Sequence, residues 1–385
     1  MKNYMTDYEI EMELDEAEKE CREHPPVNLS YWNAGSEYKE KIKKILKFDS
    51  EQDVFDYYYY FPEDVKEVIA DKLGFSADDC KKAFFHALTQ STLSIAMISI
   101  LLSKMPAKLG IITPYYFSVP DCCDALKMDY TIFDDFMENI NESFDADLLL
   151  QSDCNAFWFT SPLNSCSIYF KQRVTEGIQK LLNAGKLVIL DESLCINGRE
   201  LSRTFGIQEN LIYIYSPHKA LGIQGIKFSV LVVHKKYYDA INSLNDSFGG
   251  SINYSCRQGY HHFISPNFGE CLSIYNQFWA ENLSLVRHIL SDYDFATVSS
   301  EVSGHYAMIF IDHTIDDRHF VDAMKRLMKD KGYFAYPGVM QCLDLKHRFC
   351  FRLNLLLNKA DVEQGLRAVL DYFKDNRGTD RWFHS

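Results

Sequence analysis

The sequence lacks a basic run. Its 40 Lys and Arg stand against 54 Asp and Glu, a formal charge of -14. No cluster of cations is present to track phosphates, which argues against nucleic acid as a partner. Long apolar runs are missing too. The most apolar stretch, Leu93 to Leu102, contains Ser94 and Ser99 and is about half the roughly 20 residues a bilayer-spanning helix needs. It reads as a core helix, and no membrane association is expected. The N-terminal MKNYMTDYEI has neither the basic start nor the apolar run of a secretory signal, so a cytoplasmic location with reduced thiols is expected. No C-x-x-C occurs among the eleven cysteines, Cys122 and Cys123 are adjacent, and the total is odd. A zinc site or a disulfide framework is therefore not expected, and most of these thiols should be core residues. The cluster Asp312, His313, Asp316, Asp317, His319 reads as a solvated helix start, with no metal.

What is present is an ordinary globular composition: 385 residues, 47% hydrophobic, 24% charged and 14% aromatic. That length allows two domains and a large core. Residues 1–24 hold nine acids and three bases, an exposed arm or amphipathic helix. VKEVIADKL (65–73) has helical spacing with Gly74 as its stop. Apolar runs that look like strands then alternate with helical patterns: AFFHAL, STLSIAMISILLSK, KLGIITPYY, a polar segment to Ser152, NAFWFTSP, QRVTEGIQKLLNAGK, LVILDES, NLIYIYSP and FSVLVVH. This is the signature of βαβ units with buried parallel strands. Beyond His234 come two helical segments, the strand HYAMIFID, a helix DRHFVDAMKRLMKDKG, the strand RFCFRLNLLL and a last helix ADVEQGLRAVLDYFKD. The expected organisation is an N-terminal arm with part of a small domain (1–50), a large α/β domain (51–265) and a small α+β domain (266–385).

In open parallel sheets ligands bind beyond the carboxyl ends of the strands, so the residues after each apolar run are the ones to inspect. LVIL ends at Asp191, and NLIYIY ends at Ser216 with Lys219 three further on. NAFWFT leads to Asn164, AFFHAL to Ser91 and Thr92, and KLGIIT to Tyr115 and Tyr116. These points, in this order, resemble fold-type I pyridoxal-phosphate (PLP) enzymes, specifically the class I/II aminotransferases. SPHKALGIQGIKFSVLV is similar to that family's active-site block, with Ser216, the Schiff-base position Lys219 and a cation, Lys227. FRLNLLLNKADVEQGLRAV is similar to the segment whose Arg, here Arg352, grips the substrate α-carboxylate. YYYYFPEDVKEVIADKLG resembles the block before the first large-domain helix, and AYPGVMQ the small-domain Pro-Gly turn. The resemblance runs from about Val27 to Tyr372.

The resemblance implies a fold-type I architecture: a large domain with a mostly parallel seven-stranded sheet sandwiched by helices, and a smaller α+β domain. It implies PLP as cofactor and a homodimer with active sites at the subunit interface. Lys219 would be the nucleophile, which an amine becomes only when desolvation or a cationic neighbour deprotonates it. Asp191 would keep the pyridine nitrogen protonated, so that the ring acts as an electron sink. Ser91 and Thr92 at a helix start, with Ser216 and Lys227, would hold the phosphate. Tyr116, with Tyr115 as the alternative, would stack on the ring. Asn164 would donate to its 3-oxygen, and Tyr58, among Tyr57 to Tyr60, would reach the partner subunit's phosphate. Tyr31 and Trp32 lie in a segment that often lines the substrate side-chain pocket.

Departures bear on the reaction. Leu194 stands where most members carry a Tyr donor, His218 precedes the lysine where Ser is usual, Lys227 replaces Arg and loses its bidentate fork, and the Asn-Pro-x-Gly-like loop reads SPLNSCS. The expected activity is amino transfer between an amino acid and a 2-oxo acid. The alternative is a carbon–sulfur β-lyase, cyclase or decarboxylase on the same scaffold.

Overall fold

Seven strands of four to six residues form one sheet, six of them apolar runs flanked by polar or turn residues and the seventh, Tyr130–Phe133, a half-exposed edge strand. In the computed structural model, which describes residues 5–21, 25–31, 33–46, 63–134, 139–196, 198–249, 252–312, 317–341 and 349–375, these are β1 (Ala83–Leu88), β2 (Leu109–Ile112), β3 (Tyr130–Phe133), β4 (Ala156–Thr160), β5 (Leu187–Glu192), β6 (Leu211–Tyr215) and β7 (Ser229–His234). Their order in space is β1-β7-β6-β5-β4-β2-β3. All pairings are parallel except those of β7, which runs antiparallel to both β1 and β6. Every residue of β2, β4, β5 and β6 is buried, as expected for parallel strands with both faces covered.

Register sorts the side chains. Trp158, Ile189 and Ile212 are partners across the ladder, as are Thr160, Asp191 and Ile214. Both rows lie on the face where the helix Ser91–Ser103 packs, its Ile95, Met97, Ile98, Leu101 and Leu102 joining one apolar cluster with Ile111, Trp158, Ile189 and Ile212. That helix is apolar all round, which its burial explains. On the other face Phe159 meets Phe144 and Phe170 at 5.9 and 6.1 Å. The helix Gln172–Asn183 buries Val174, Ile178, Leu181 and Leu182 in an amphipathic stripe, and Gly177 lets the Phe144 ring lie against its backbone.

The chain divides into two compact units: 43–164 with 168–273, and 1–42 with 165–167 and 274–385. The sheet belongs to the first. The second contains a three-stranded antiparallel sheet of β8 (Ala296–Val298), β9 (Tyr306–Ile311) and β10 (Phe349–Asn354), with β9 central, and a two-residue parallel pairing of Val27–Asn28 with Tyr333–Phe334. The acidic N-terminal segment is an amphipathic helix, Asp7–Glu20, opened by a capping box between Thr6 and Glu9. Ile10, Leu14 and Ala17 enter this unit's core. On its outer side Glu13 pairs with Arg318 and Lys325, and Glu20 with Lys329 at 3.0 Å. No helix among the described residues is long and apolar enough to cross a membrane.

Candidate active site

Strand direction gathers most of the candidate residues at one edge of the sheet. β1 runs the same way as β6, because β7 is antiparallel to both, and Leu88 pairs with Ser229 while Tyr215 pairs with Val230. The start of the helix Ser91–Ser103, the Tyr115–Tyr116 loop after β2, Asn164 after β4, Asp191 in β5, the turn after β6 and Lys227 before β7 therefore all lie at the carboxyl edge. A helix beginning there points its first N–H groups at the same space, and its N-cap, Gln90, makes no side-chain cap hydrogen bond.

Lys219 sits in a single helical turn, Pro217–Ala220, with Pro at its first position. Its Nζ lies 4.4 Å from the centre of the Tyr116 ring, so of the two tyrosines Tyr116 is the one shown against the lysine. Asp191 is 3% exposed. Burial pushes its carboxyl above the usual range, while Ser193 and the charge of Lys219 pull it back. Ser193 donates to Asp191 Oδ1 through its hydroxyl at 2.5 Å and its backbone N–H at 3.1 Å, an Asx-type turn. Ser216 donates to Ser229 Oγ at 3.0 Å, and Ser229 to the Tyr215 carbonyl. Asn164 Nδ2 donates to the Tyr115 carbonyl at 2.8 Å, which spends one of its two N–H groups on the loop that holds Tyr116. Ser91 is buried, Thr92 partly so, and Lys227 is exposed. The side-chain hydroxyls of Thr113, Thr160 and Ser161, at or just beyond the ends of β2 and β4, are buried without a hydrogen-bond partner.

His218, expected as a departure beside the lysine, turns into a second buried cluster. Its Nε2 is 2.9 Å from His262 Nδ1, His262 Nε2 is 3.6 Å from Cys271 Sγ, and the rings of Phe228 and Phe268 stand edge-on to it. Burial drives both imidazoles down, His262 to about 4, so both are neutral at pH 7. His218 Nδ1 has no partner. A bare nitrogen there is cheaper than an orphaned N–H, which assigns the proton of His218 to Nε2, donated to His262, and that of His262 to Nε2, facing the sulfur.

Glu192, next to Asp191, is on the opposite face of the sheet, paired in register with Tyr215. It is fully buried, accepts from the Leu201 N–H at 2.9 Å through Oε1, and has no partner at Oε2. Burial pushes its carboxyl up to about 8 from 4.5. Between those values the folded chain keeps a proton that the unfolded chain has lost, so Glu192 makes stability fall as pH rises, by at most about 1.4 kcal/mol per unit. Glu192→Gln removes this dependence. Urea midpoints of variant and wild type should coincide near pH 5 and separate in the variant's favour by pH 8; parallel curves would mean that Glu192 ionises alike in both states.

Arg352 lies in β10, in the other unit, and is 1% exposed. Its Nε and Nη2 donate to the Ser30 carbonyl at 2.8 and 2.5 Å, its Nη1 donates to Ser165 Oγ at 3.1 Å, and the guanidinium stacks 4.7 Å from the Tyr306 ring. Ser165 holds this contact at a φ of +61°, in the altered SPLNSCS loop. Tyr31 is half-exposed, and its carbonyl accepts from Asn354. Tyr58 and Trp32 lie outside the described residues. Sequence reasoning missed Ser193, Ser165, Glu192 and His262; of these only Ser193, two residues after an aspartate, carried a local signal.

No protein-family model matches the sequence, and no curated protein matches it. Solved structures match over nearly its whole length. The methionine aminotransferase YbdL of Escherichia coli superposes with a TM-score of 0.73 at 14% identity, covering 93% of this chain and 96% of its own. The kynurenine aminotransferase of Pyrococcus horikoshii gives 0.74 at 12%, covering 98% of each. A PLP-bound C–S lyase of Staphylococcus hominis gives 0.71 at 12%, covering 91% and 94%. The chain has the α/β architecture of fold-type I PLP-dependent enzymes. That fold hosts both transferases and lyases, so the reaction has to be argued from the site.

Proposed function

We propose that the protein is a PLP-dependent aminotransferase acting on an amino acid and a 2-oxo acid. The observation that carries this reading is the placement of Lys219 Nζ over Tyr116, with its charge felt by buried Asp191, at the carboxyl edge where a helix opens. The residues fit the cofactor. Ser91, Thr92, Ser216 and Lys227 would hold its phosphate, Tyr116 its ring face and Asn164 its 3-oxygen, and the unpartnered hydroxyls of Thr113, Thr160 and Ser161 mark a polar space that protein groups leave unsatisfied. When bound, PLP supplies an electron sink for the bonding electrons released at the substrate's Cα. Asp191 would hold the proton on the ring nitrogen. Lys219 Nζ would hold the cofactor and would take and return the substrate's Cα proton as general base and acid. Arg352, its guanidinium fixed by Ser30, Ser165 and Tyr306, binds the α-carboxylate and orients the substrate. A homodimer, with Tyr58 reaching across, and a cytoplasmic location complete the proposal.

The alternative, a lyase, cyclase or decarboxylase, is favoured by Leu194, which replaces a hydroxyl donor with an apolar side chain. Absorption spectra with PLP and a panel of amino acids separate the two. Conversion of the cofactor to its amine form by an amino acid, reversed by a 2-oxo acid, is the expected result; release of ammonia, sulfide or carbon dioxide with the spectrum restored would replace transamination by the alternative. Light scattering tests the dimer, and a fully active monomer would remove it.

A further inference from the structure

Asp191 is the penultimate residue of β5, and Ser193 follows just past the strand's end. The strand stops in a turn closed by the Cys195 N–H on the Glu192 carbonyl at 2.9 Å, while the Asp191 carbonyl accepts from the Ser161 N–H at 2.9 Å. With the backbone held on both sides, the Ser193 hydroxyl and N–H reach Asp191 Oδ1 at 2.5 and 3.1 Å. Among the described residues Oδ2 accepts no hydrogen bond. The terminal torsion of an aspartate is soft, so two bonds to one oxygen set the plane of the carboxylate. We propose that Ser193 is the positioning residue of Asp191, fixing Oδ1 and leaving Oδ2 for the ring nitrogen of the cofactor, an assignment that rests on the PLP reading above.

Two influences offset the cost of burying this carboxylate: the hydrogen bonds from Ser193 and the charge of Lys219. They are not equivalent. An amine works as nucleophile or base only when neutral, so the charge of Lys219 is lost whenever that lysine is in use. A serine hydroxyl does not titrate, and Ser193, 4% exposed, is shielded from competing water. The surroundings add little. The register neighbours of Asp191 are Thr160 and Ile214, and the Thr160 hydroxyl has no hydrogen-bond partner. The helix Ser91–Ser103, packed on this face, contains no titratable residue. From the neighbouring loops come Lys219 itself and the Tyr116 ring beside it. Glu192 titrates on the opposite face, next to Tyr215.

Urea unfolding of the cofactor-free full chain, between pH 4 and pH 8, compares wild type with Ser193→Ala, or with Ser193→Cys should the first not fold. Burial raises the folded carboxyl's pKa and Ser193 holds it back, so in the variant the folded carboxyl titrates higher while the unfolded one is unchanged. The gap between the midpoints should be least at pH 4, where the folded carboxyl keeps its proton, and should widen towards pH 8. In an Asp191→Asn background the same substitution should open a gap that does not change with pH. PLP, followed by its absorption, should bind the variant about tenfold more weakly at pH 8, the loss of a hydrogen bond to a charged group. A gap independent of pH, one that widens equally in the Asp191→Asn background, or an unchanged PLP affinity would each overturn the assignment. Failure of the PLP reading has another signature: no cofactor would join Lys219 in wild type, while the widening gap would remain.

Discussion

Replacing Lys219 by alanine is expected to reduce turnover about 10⁴-fold, the upper end of what a positioned general acid–base group contributes. It should also remove the absorption band that marks cofactor joined to the protein. Lys219 occupies a one-turn helix that cannot hold itself. The turn is kept by the Ser216 and His218 carbonyls, which accept from Ala220 and Ile223, and by the His218–His262 hydrogen bond. None of these uses the lysine side chain, so the variant should fold with its melting temperature little changed. The decisive measurement is reduction of the PLP-treated protein with borohydride followed by peptide mapping. Wild type should carry the label at Lys219 and the variant at no single site. A label elsewhere, with turnover retained, would show that another amine does this work.

The second large effect is expected at Asp191. Asp191→Asn keeps the volume and much of the Ser193 hydrogen bonding but removes the negative charge, and turnover should fall about 10²- to 10³-fold, the size of losing one preorganised electrostatic contact. Cofactor should still bind, because Lys219 and the residues proposed to hold the phosphate are untouched. The stability change separates this role from a structural one. Burial raises the carboxyl's pKa, so in the cofactor-free chain its ionisation opposes folding as pH rises through that raised value. The cofactor-free Asn variant should therefore be at least as stable as wild type at pH 8. A variant that melts early, or one with unchanged turnover, would remove Asp191 from the proposed role.

Much of this architecture was legible because its strands are fully buried. AFWF, LVIL and LIYIY are continuous apolar runs, and a run of that length between polar flanks has few other places to go. Elements with mixed burial were not. Tyr130–Phe133 is an edge strand with one buried residue, so its four residues show neither alternation nor an apolar run, and it stayed within the segment read as polar. Ala296–Val298 is three residues long. The helix Tyr254–Ile264 carries two histidines, a glutamine and an arginine, a composition without an apolar stripe, because His262 and Gln258 are buried by specific neighbours. The site followed the same division. Lys219, Asp191 and Tyr116 were proposed by position after a strand, a rule about backbone. The burial of Glu192, the second histidine of the His218 pair and the support of Arg352 by Ser165 depend on side-chain packing between distant segments, which spacing along the chain does not encode.

The unit built from both chain ends also imposes an order of events during synthesis. Val27–Asn28 pairs with Tyr333–Phe334, a separation of roughly 300 residues, which at 5–20 residues per second keeps the first strand waiting about 15–60 s for its partner on the ribosome. The sheet-bearing unit emerges in that interval with nearly all of its own packing partners already made. The Ile10, Leu14 and Ala17 stripe has no such cover until the helix Asp317–Lys331 arrives. Nascent chains halted before that helix should therefore recruit hydrophobic-binding chaperones through their first twenty residues, and chains released past it should not.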